Sequence, residues 1–373
     1  MHHQTKHTFH MPKQHITLLS LIILFLFTLT TCERNIKAKP EHTVLFFFPW
    51  STNLTHYFEN NIYCFENALN KKDLQNNNIF VFISKSESDA VFYQIKNNKG
   101  SITHDTIARF SNYNYKYTSI EGLSQILTLA KNDQTKFALI IGCHGDAWIP
   151  SSDMKRSFGG TKVESRIDIS TLRKALKQTN IIAEYILFDD CYMSSIEVAY
   201  ELRNVCHHLI ASPSEIMAAG MPYTDIANDL INTPNYEAIC SEYYHYYANN
   251  PSTPYGAIAI IKSSELDSLA NITKRLNINY TNQNIQFYDA YNPHIFYDLG
   301  DYINTSCSDE KLKTEFLQQL DKCVIHKAHT RKVYGYGFGE ITINNYSGIS
   351  TSAPSTNPKC ASYKETAWYK ATH

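Results

Sequence analysis

Nowhere in the 373 residues do two cysteines stand as Cys-x-x-Cys, which removes a zinc ribbon and a thioredoxin-type redox pair. The nine cysteines, Cys32, Cys64, Cys143, Cys191, Cys206, Cys240, Cys307, Cys323 and Cys360, are too widely spread for a small disulfide scaffold. Most of them read as buried thiols, since free Cys behaves as a small hydrophobe. Charge of one sign is missing too: 34 Lys and Arg face 35 Asp and Glu, a net of -1. That balance offers no basic footprint for nucleic acid and no cationic face for an anionic membrane. No apolar run reaches the roughly 20 residues that span a bilayer. Internal repeats and long low-complexity linkers are absent as well, so one large domain with additions is simpler than two.

What is present begins with an address. The apolar run Ile16 to Leu29 follows a polar segment holding Lys6 and Lys13, the layout of a signal-peptide h-region. It ends in Leu29-Thr30-Thr31-Cys32, followed by polar Glu33-Arg34-Asn35. This resembles a bacterial lipobox of the loose kind seen in Bacteroidetes lipoproteins. The resemblance implies cleavage before Cys32 and acylation of its thiol. The expected division is a signal peptide over 1–31, an acylated Cys32 with a polar tether over 32–41, and a domain over 42–373. A cleaved signal with an incidental Cys32, or an uncleaved anchor, are the alternatives. Under the lipobox reading the protein is exported to the cell envelope, at the outer membrane or cell surface, and held to the membrane by lipid.

The rest of the chain alternates short apolar runs with amphipathic stretches. Thr43–Phe48, Asn78–Ser84, Ala90–Lys96, Lys136–Gly142, Ile181–Phe188 and Leu209–Ala211 read as strands. Phe58–Asn70, Glu121–Lys131, Asp168–Leu176 and Ser194–Asn204 read as helices, and residues 150–168 as an exposed loop. Further pieces follow at Gly256–Ile261, Ser264–Leu276, Asp309–Lys322 and Val324–Lys327. Strands alternating with helices predict a mostly parallel sheet covered on both faces.

In such sheets the site forms beyond the carboxyl ends of the strands. Two ends carry reactive groups: His144 after one run, and Cys191 after the next, 47 residues on. A thiol attacks as thiolate, so it needs a base and a lowered pKa. The helix expected near Ser194 would favour negative charge at Cys191 through its dipole. Gly145 lets backbone approach closely, so its N–H, with that of Cys191, is placed to hold an oxyanion. The plain alternatives are a hydrogen-bonded surface His and a core Cys. A His roughly 50 residues before a Cys is also the caspase spacing, but Asp190-Cys191-Tyr192 lacks the local caspase signature.

The stretches Leu139-Ile-Ile-Gly-Cys-His144-Gly145, Arg156-Ser-Phe-Gly159 and Tyr185-Ile-Leu-Phe-Asp189-Asp-Cys191-Tyr-Met-Ser-Ser-Ile-Glu-Val-Ala-Tyr-Glu-Leu202 resemble the clostripain family of cysteine peptidases. The similarity continues through Ile210-Ala-Ser-Pro-Ser-Glu215 and Gly220-Met-Pro-Tyr223, with weaker echoes at 297–301 and 347–350. It implies a caspase-like three-layer α/β/α sandwich with a mostly parallel central sheet and C-terminal additions. It also implies a cysteine endopeptidase with His144 as base and Cys191 as nucleophile, cutting protein or peptide substrates after Arg or Lys. Asp189, two residues before the nucleophile, takes the family's place for a basic-residue selector; a carboxylate serving the following helix is its other reading. Asp190 departs from the small residue usual there, which leaves room for tuning of the pocket, for a raised thiol pKa, or for a weak or inactive lipid-anchored binding protein. An acyl transferase or ligase on the same pair is a third reading. Maturation by a cut in the loop after His144 is implied at Lys155, Arg156, Lys162 or Arg166. No metal or other cofactor is required. Calcium stimulation occurs in the family and stays open here, although no loop of EF-hand spacing is present.

Overall fold

Every residue of the run His42–Phe48 (β1) is buried, and this follows from its neighbours. β1 pairs in parallel with Asn77–Ser84 (β2) on one side and with Lys136–Gly142 on the other. A strand flanked on both edges and covered on both faces has no polar alternation to show. The computed structural model describes residues 40–373 except 70–72, 99–100, 113, 150–156 and 279–283. The lipobox, Cys32, Lys155 and Arg156 therefore lie outside the described residues.

Ala90–Asn98 (β3), Ser101–Phe110 (β4), Lys136–Gly142 (β5), Ala183–Asp189 (β6), Cys206–Ala211 (β7), Ala257–Lys262 (β8) and Val324–His329 (β9) complete a nine-stranded sheet. Its order is β9-β8-β7-β6-β5-β1-β2-β3-β4. The five strands from β7 to β2 in that order run parallel, and antiparallel pairs close both flanks. β4 is absent from the sequence reading for a physical reason. It is an edge strand with mostly exposed, polar residues, so it carries no run of apolar side chains.

The sheet sends alternate side chains to two cores. Leu45, Phe47, Leu139, Ile141, Ile186 and Phe188 face one, where Ile120–Ala130 (α1), Ile169–Gln178 (α2) and Ile196–Leu202 (α3) pack. Val44, Phe46, Phe48, Ile140 and Leu187 face the other, covered by Thr55–Ala68, Tyr223–Ile231 and Tyr236–Ala248. Each buried Phe or Leu contributes about 1.5–3 kcal/mol by leaving water. The result is the expected three-layer sandwich. The C-terminal helices at Leu266–Thr273 and Glu310–Cys323 begin and end within two or three residues of their predicted bounds.

All eight cysteines among the described residues are free; Cys64 and Cys191 are half-buried and the rest buried. Among the described residues no helix is long and apolar enough to cross a membrane.

Residues 157–168 are not the exposed loop expected of their polarity. His144–Gly145, Phe158–Gly159 and Arg166–Ile167 form a small antiparallel ribbon, and Ser157, Phe158, Ser165 and Ile167 are at most 1% exposed. The polar side chains mislead because the ribbon buries its backbone and its few apolar groups against the sheet.

Candidate active site

The parallel ladder between β5 and β6 sets the site. Gly142 pairs with Asp189, so the two chains leave the sheet side by side, with Cys143 and His144 next to Asp190 and Cys191. A cavity of about 730 Å³ opens over these ends, and His144, Gly145, Asp189 and Cys191 all line it. The structure thus brings together the four residues read from sequence.

Gly145 makes that proximity sterically workable. A Cβ at this position would stand 2.3 Å from the Cys191 carbonyl oxygen and 2.9 Å from its nitrogen, far inside van der Waals contact. Directly after Cys191 the chain turns through Tyr192, which holds a left-handed φ of 63°. Such a backbone is uncommon for a bulky residue; here the Tyr192 N–H donates to the Ser214 carbonyl at 3.0 Å, and the ring stacks on Phe296 with centroids 4.6 Å apart.

The helix following Cys191 corrects one expectation. α3 starts at Ile196, capped by the Ser195 hydroxyl, too far along for its dipole to act strongly on the thiol. Burial pushes the Cys191 thiol well above its ordinary range, and Glu215 pushes it further. The Ile216 N–H, 3.4 Å from Sγ, opposes this. Asp190 and Asp146 add smaller upward pushes. The resting group is therefore a thiol.

His144 has the opposite bias. Burial, then the Arg166 guanidinium, hold its imidazole below the usual value, so it is neutral and able to accept a proton at pH 7. Its Nε2 lies 3.0 Å from Asn53 Oδ1. A neutral ring that donates there presents Nδ1 as its acceptor. Asp146 takes bonds from Arg166 Nη1 at 2.5 Å and from the Tyr291 hydroxyl at 3.0 Å, which ties the ribbon to the loop after the histidine. Lys162 pairs instead with Glu87 on the exposed surface.

Asp189 is 4% exposed. Its Oδ2 accepts from Met221 N–H at 3.2 Å and from the Tyr223 hydroxyl at 3.1 Å, whereas Oδ1 has no hydrogen-bond partner. Burial lifts this carboxyl to about 6. Gly220, at φ 72°, passes so close that a Cβ would lie 2.6 Å from Asp189 Oδ2. Asp190 turns the other way. Its carboxyl accepts from Cys143 N–H at 2.5 Å and from the Cys143 thiol at 3.4 Å, joining the two strand ends. Asp190 still lines the cavity, with its carboxyl engaged by that link.

Three residues at the site escape the sequence reading. Asn53 stands in a single 3-10 turn, Thr52–Leu54, just ahead of the helix Thr55–Ala68, and nothing in that local sequence points to the imidazole it meets. Glu215 accepts from the Tyr192 hydroxyl at 2.7 Å and from Tyr336 N–H at 2.8 Å, and burial raises its carboxyl too. Tyr336 comes from a hairpin formed by Lys332–Gly335 and Gly339–Thr342 that borders the cavity from the C-terminal part. Among the described residues no group of three or more His, Cys, Asp or Glu is arranged to hold a metal ion.

The chain is similar to known proteins over most of its length. The family model for peptidase family C11, the clostripain family, matches residues 49–352. The X-ray structure of iotapain, a secreted C11 cysteine protease from Bacteroides thetaiotaomicron, is 39% identical, with a TM-score of 0.85 over 90% of this chain and 100% of that one. A clostripain from the same species, in complex with the peptide inhibitor BTN-VLTK-AOMK, is 47% identical over 58% of this chain and 99% of its own, with a TM-score of 0.56. An inactive zymogen C11 protease from Parabacteroides distasonis is 28% identical, with a TM-score of 0.78 over 91% of this chain and 99% of that one. No curated protein matches the chain.

Proposed function

Because the chain belongs to the clostripain family of cysteine peptidases, we propose that it is an endopeptidase cutting after Lys or Arg, with Cys191 as nucleophile and His144 as base. The observation that carries the specificity is Asp189: a buried carboxyl, lining the cavity shared by His144 and Cys191, with one oxygen left without a donor. A basic side chain would supply the missing donor and favour the ionised carboxylate. The inhibitor sequence of the Bacteroides clostripain ends in Lys, which agrees with this choice.

The chemistry follows from the two opposed biases. Since burial keeps the thiol protonated and the imidazole neutral, His144 takes the Cys191 proton as Sγ attacks the scissile carbonyl carbon. The oxyanion would be met by the N–H groups of Gly145 and Cys191. His144 then gives the proton to the leaving amine, and water, activated by the same imidazole, releases the acyl group.

Export and anchoring through an acylated Cys32 belong to the same proposal, supported by the Leu29-Thr-Thr-Cys32 pattern and by the secreted relative. So does maturation in the loop after His144. Within that loop Arg166 is sheltered by its pairing with Asp146, which favours Lys155, Arg156 and the exposed Lys162. The alternative, a weak or inactive binding protein, keeps its ground in Asp190, which bonds to Cys143 but still adds to the upward push on the Cys191 thiol.

The test compares the chain from Glu33 onward with its Cys191→Ala variant on fluorogenic Lys-, Arg- and Asp-ended peptides, with and without calcium. Cleavage of the first two only, abolished in the variant, is expected. Silence of the wild type on all three would refute the peptidase, and equal turnover by both proteins would refute Cys191. For the anchor, Cys32→Ala should leave the membrane fraction; its retention there would refute acylation.

A further inference from the structure

Several buried acids lie outside the site just described, among them Asp289, Asp298 and Glu197. Glu197, on α3, is 1% exposed. Its Oε1 accepts from the Thr351 hydroxyl at 2.9 Å and from Ser352 N–H at 3.0 Å. The Ser195 hydroxyl lies near the carboxyl, but no donor reaches Oε2 with hydrogen-bonding geometry. A buried carboxyl oxygen without a donor carries its desolvation cost uncompensated, so a missing partner is the natural inference. Glu197 faces a second cavity of about 240 Å³, whose other charged lining groups are Asp168, Glu201 and Glu365. Glu201 is already paired with Arg173. An acidic cavity of this size suits a small cation with hydrogen-bond donors.

Ser157 supplies that cation's source. It lines the same cavity and is 1% exposed. Its carbonyl accepts from Asp146 N–H at 2.6 Å, and its hydroxyl accepts from Ile169 N–H at 3.3 Å. The next two residues, Phe158 and Gly159, pair with Gly145 and His144. Position 157 is thus held by bonds that do not depend on the residue before it. In the sequence that residue is Arg156, a substrate residue under the specificity proposed above.

We propose that hydrolysis of the Arg156–Ser157 bond creates an α-ammonium group that binds Glu197 in this cavity and fixes the mature active site. Water adds across the peptide bond: the Arg156 carbonyl carbon takes the hydroxyl and the Ser157 nitrogen takes the hydrogen. At neutral pH the new acid gives its proton to the new amine. The ion pair then joins two loops. Ser352, bonded to Glu197, also accepts from Trp148 Nε1 at 2.9 Å, a short step past His144, while Ser157 holds Asp146. Glu197 itself sits on the helix that follows Cys191. This rests on the peptidase reading and on a cut at Arg156.

Three measurements test it. Amino-terminal sequencing of the larger fragment of the mature full chain should give Ser157. In a Cys191→Ala background, intact or cut in trans by wild-type enzyme, Glu197→Gln should lower the melting temperature of the cut chain by about 3 °C more than that of the intact chain. A merely structural Glu197 would shift both forms equally, and that result overturns the proposal. So does a fragment beginning elsewhere. Mature Glu197→Gln should lose about tenfold in kcat/KM, whereas Lys155→Ala/Arg156→Ala chains should be insensitive to the same change within about twofold. A mature variant as active as wild type also overturns it. Failure of wild type to cut any Lys- or Arg-ended peptide sinks the proposed function itself. Normal cleavage with equal melting shifts sinks the ammonium site alone.

Discussion

Gly142 stands opposite Asp189 in the parallel ladder between β5 and β6, and continuing that register beyond the sheet brings His144 beside Cys191. The register has a physical origin at the start of the same ladder. Phe137 pairs with Ala183, but Ala138 pairs with Tyr185, so a bulge at Glu184 shifts every later pair by one residue. Without it, His144 would come level with Asp190, and the thiol would be offset from its base. Bulges of this kind re-aim side chains beside active sites.

Gly145→Ala tests the contact that this register creates. The added methyl would collide with the Cys191 carbonyl, so the two loops must separate. We expect kcat/KM to fall about 100-fold, the order seen when a positioning contact is lost, with the far-ultraviolet dichroism unchanged. A variant within threefold of wild type would show that the loops tolerate separation.

Asp189→Asn has two consequences of opposite sign. The Asp189 carboxyl, lifted to about 6 by burial, is ionised above that pH and protonated below it. Hydrolysis of Lys and Arg substrates should therefore fall as pH drops through about 6, and the variant should lose that limb together with its preference for basic residues. Stability moves the other way. The unfolded carboxyl titrates near 4, so folding takes up a proton between about 4 and 6, and stability falls as pH rises through that window. The neutral amide is free of this penalty, and the variant should melt higher than wild type at pH 7.5. A lower melting point would contradict the burial argument.

Glu215→Gln addresses the thiol. Glu215 is the largest raising influence on Cys191 after burial, while Gln keeps an acceptor for Tyr192 and Tyr336. Alkylation of Cys191 by iodoacetamide at pH 7 should be slow in wild type and several-fold faster in the variant. Equal rates would mean that the glutamate is neutral beside the thiol.

Asn53→Ala removes the oxygen that His144 Nε2 meets at 3.0 Å. The imidazole would lose orientation but keep its place, so kcat should fall about tenfold at little change in KM. Asn53→Asp should recover part of the loss. A change confined to KM would assign Asn53 to substrate binding instead.

Much of this was legible because burial leaves a linear trace. The runs at Thr43–Phe48 and Lys136–Gly142 are apolar since both faces of the sheet are covered, and reactive residues placed just after such runs announce a site. The trace fails where structure does not depend on apolar periodicity. β4 is polar because its edge faces solvent. The ribbon at 157–167 is mostly polar, yet it braces the segment carrying His144. Asn53 and Glu215 belong to segments whose local sequence says nothing about the group they meet.

The sequence by itself determined the alternation of strands and helices, the placement of His144 and Cys191 after two apolar runs, and the resemblance that names their chemistry. Only the tertiary structure decided their register, because the bulge at Glu184 acts between strands and leaves no periodic signal. It also decided the charge states: burial, not the helix dipole, governs the Cys191 thiol. And it alone brought Ser157 and Glu197 to one cavity, since a carboxyl oxygen without a donor is a property of packing and cannot be read along a chain.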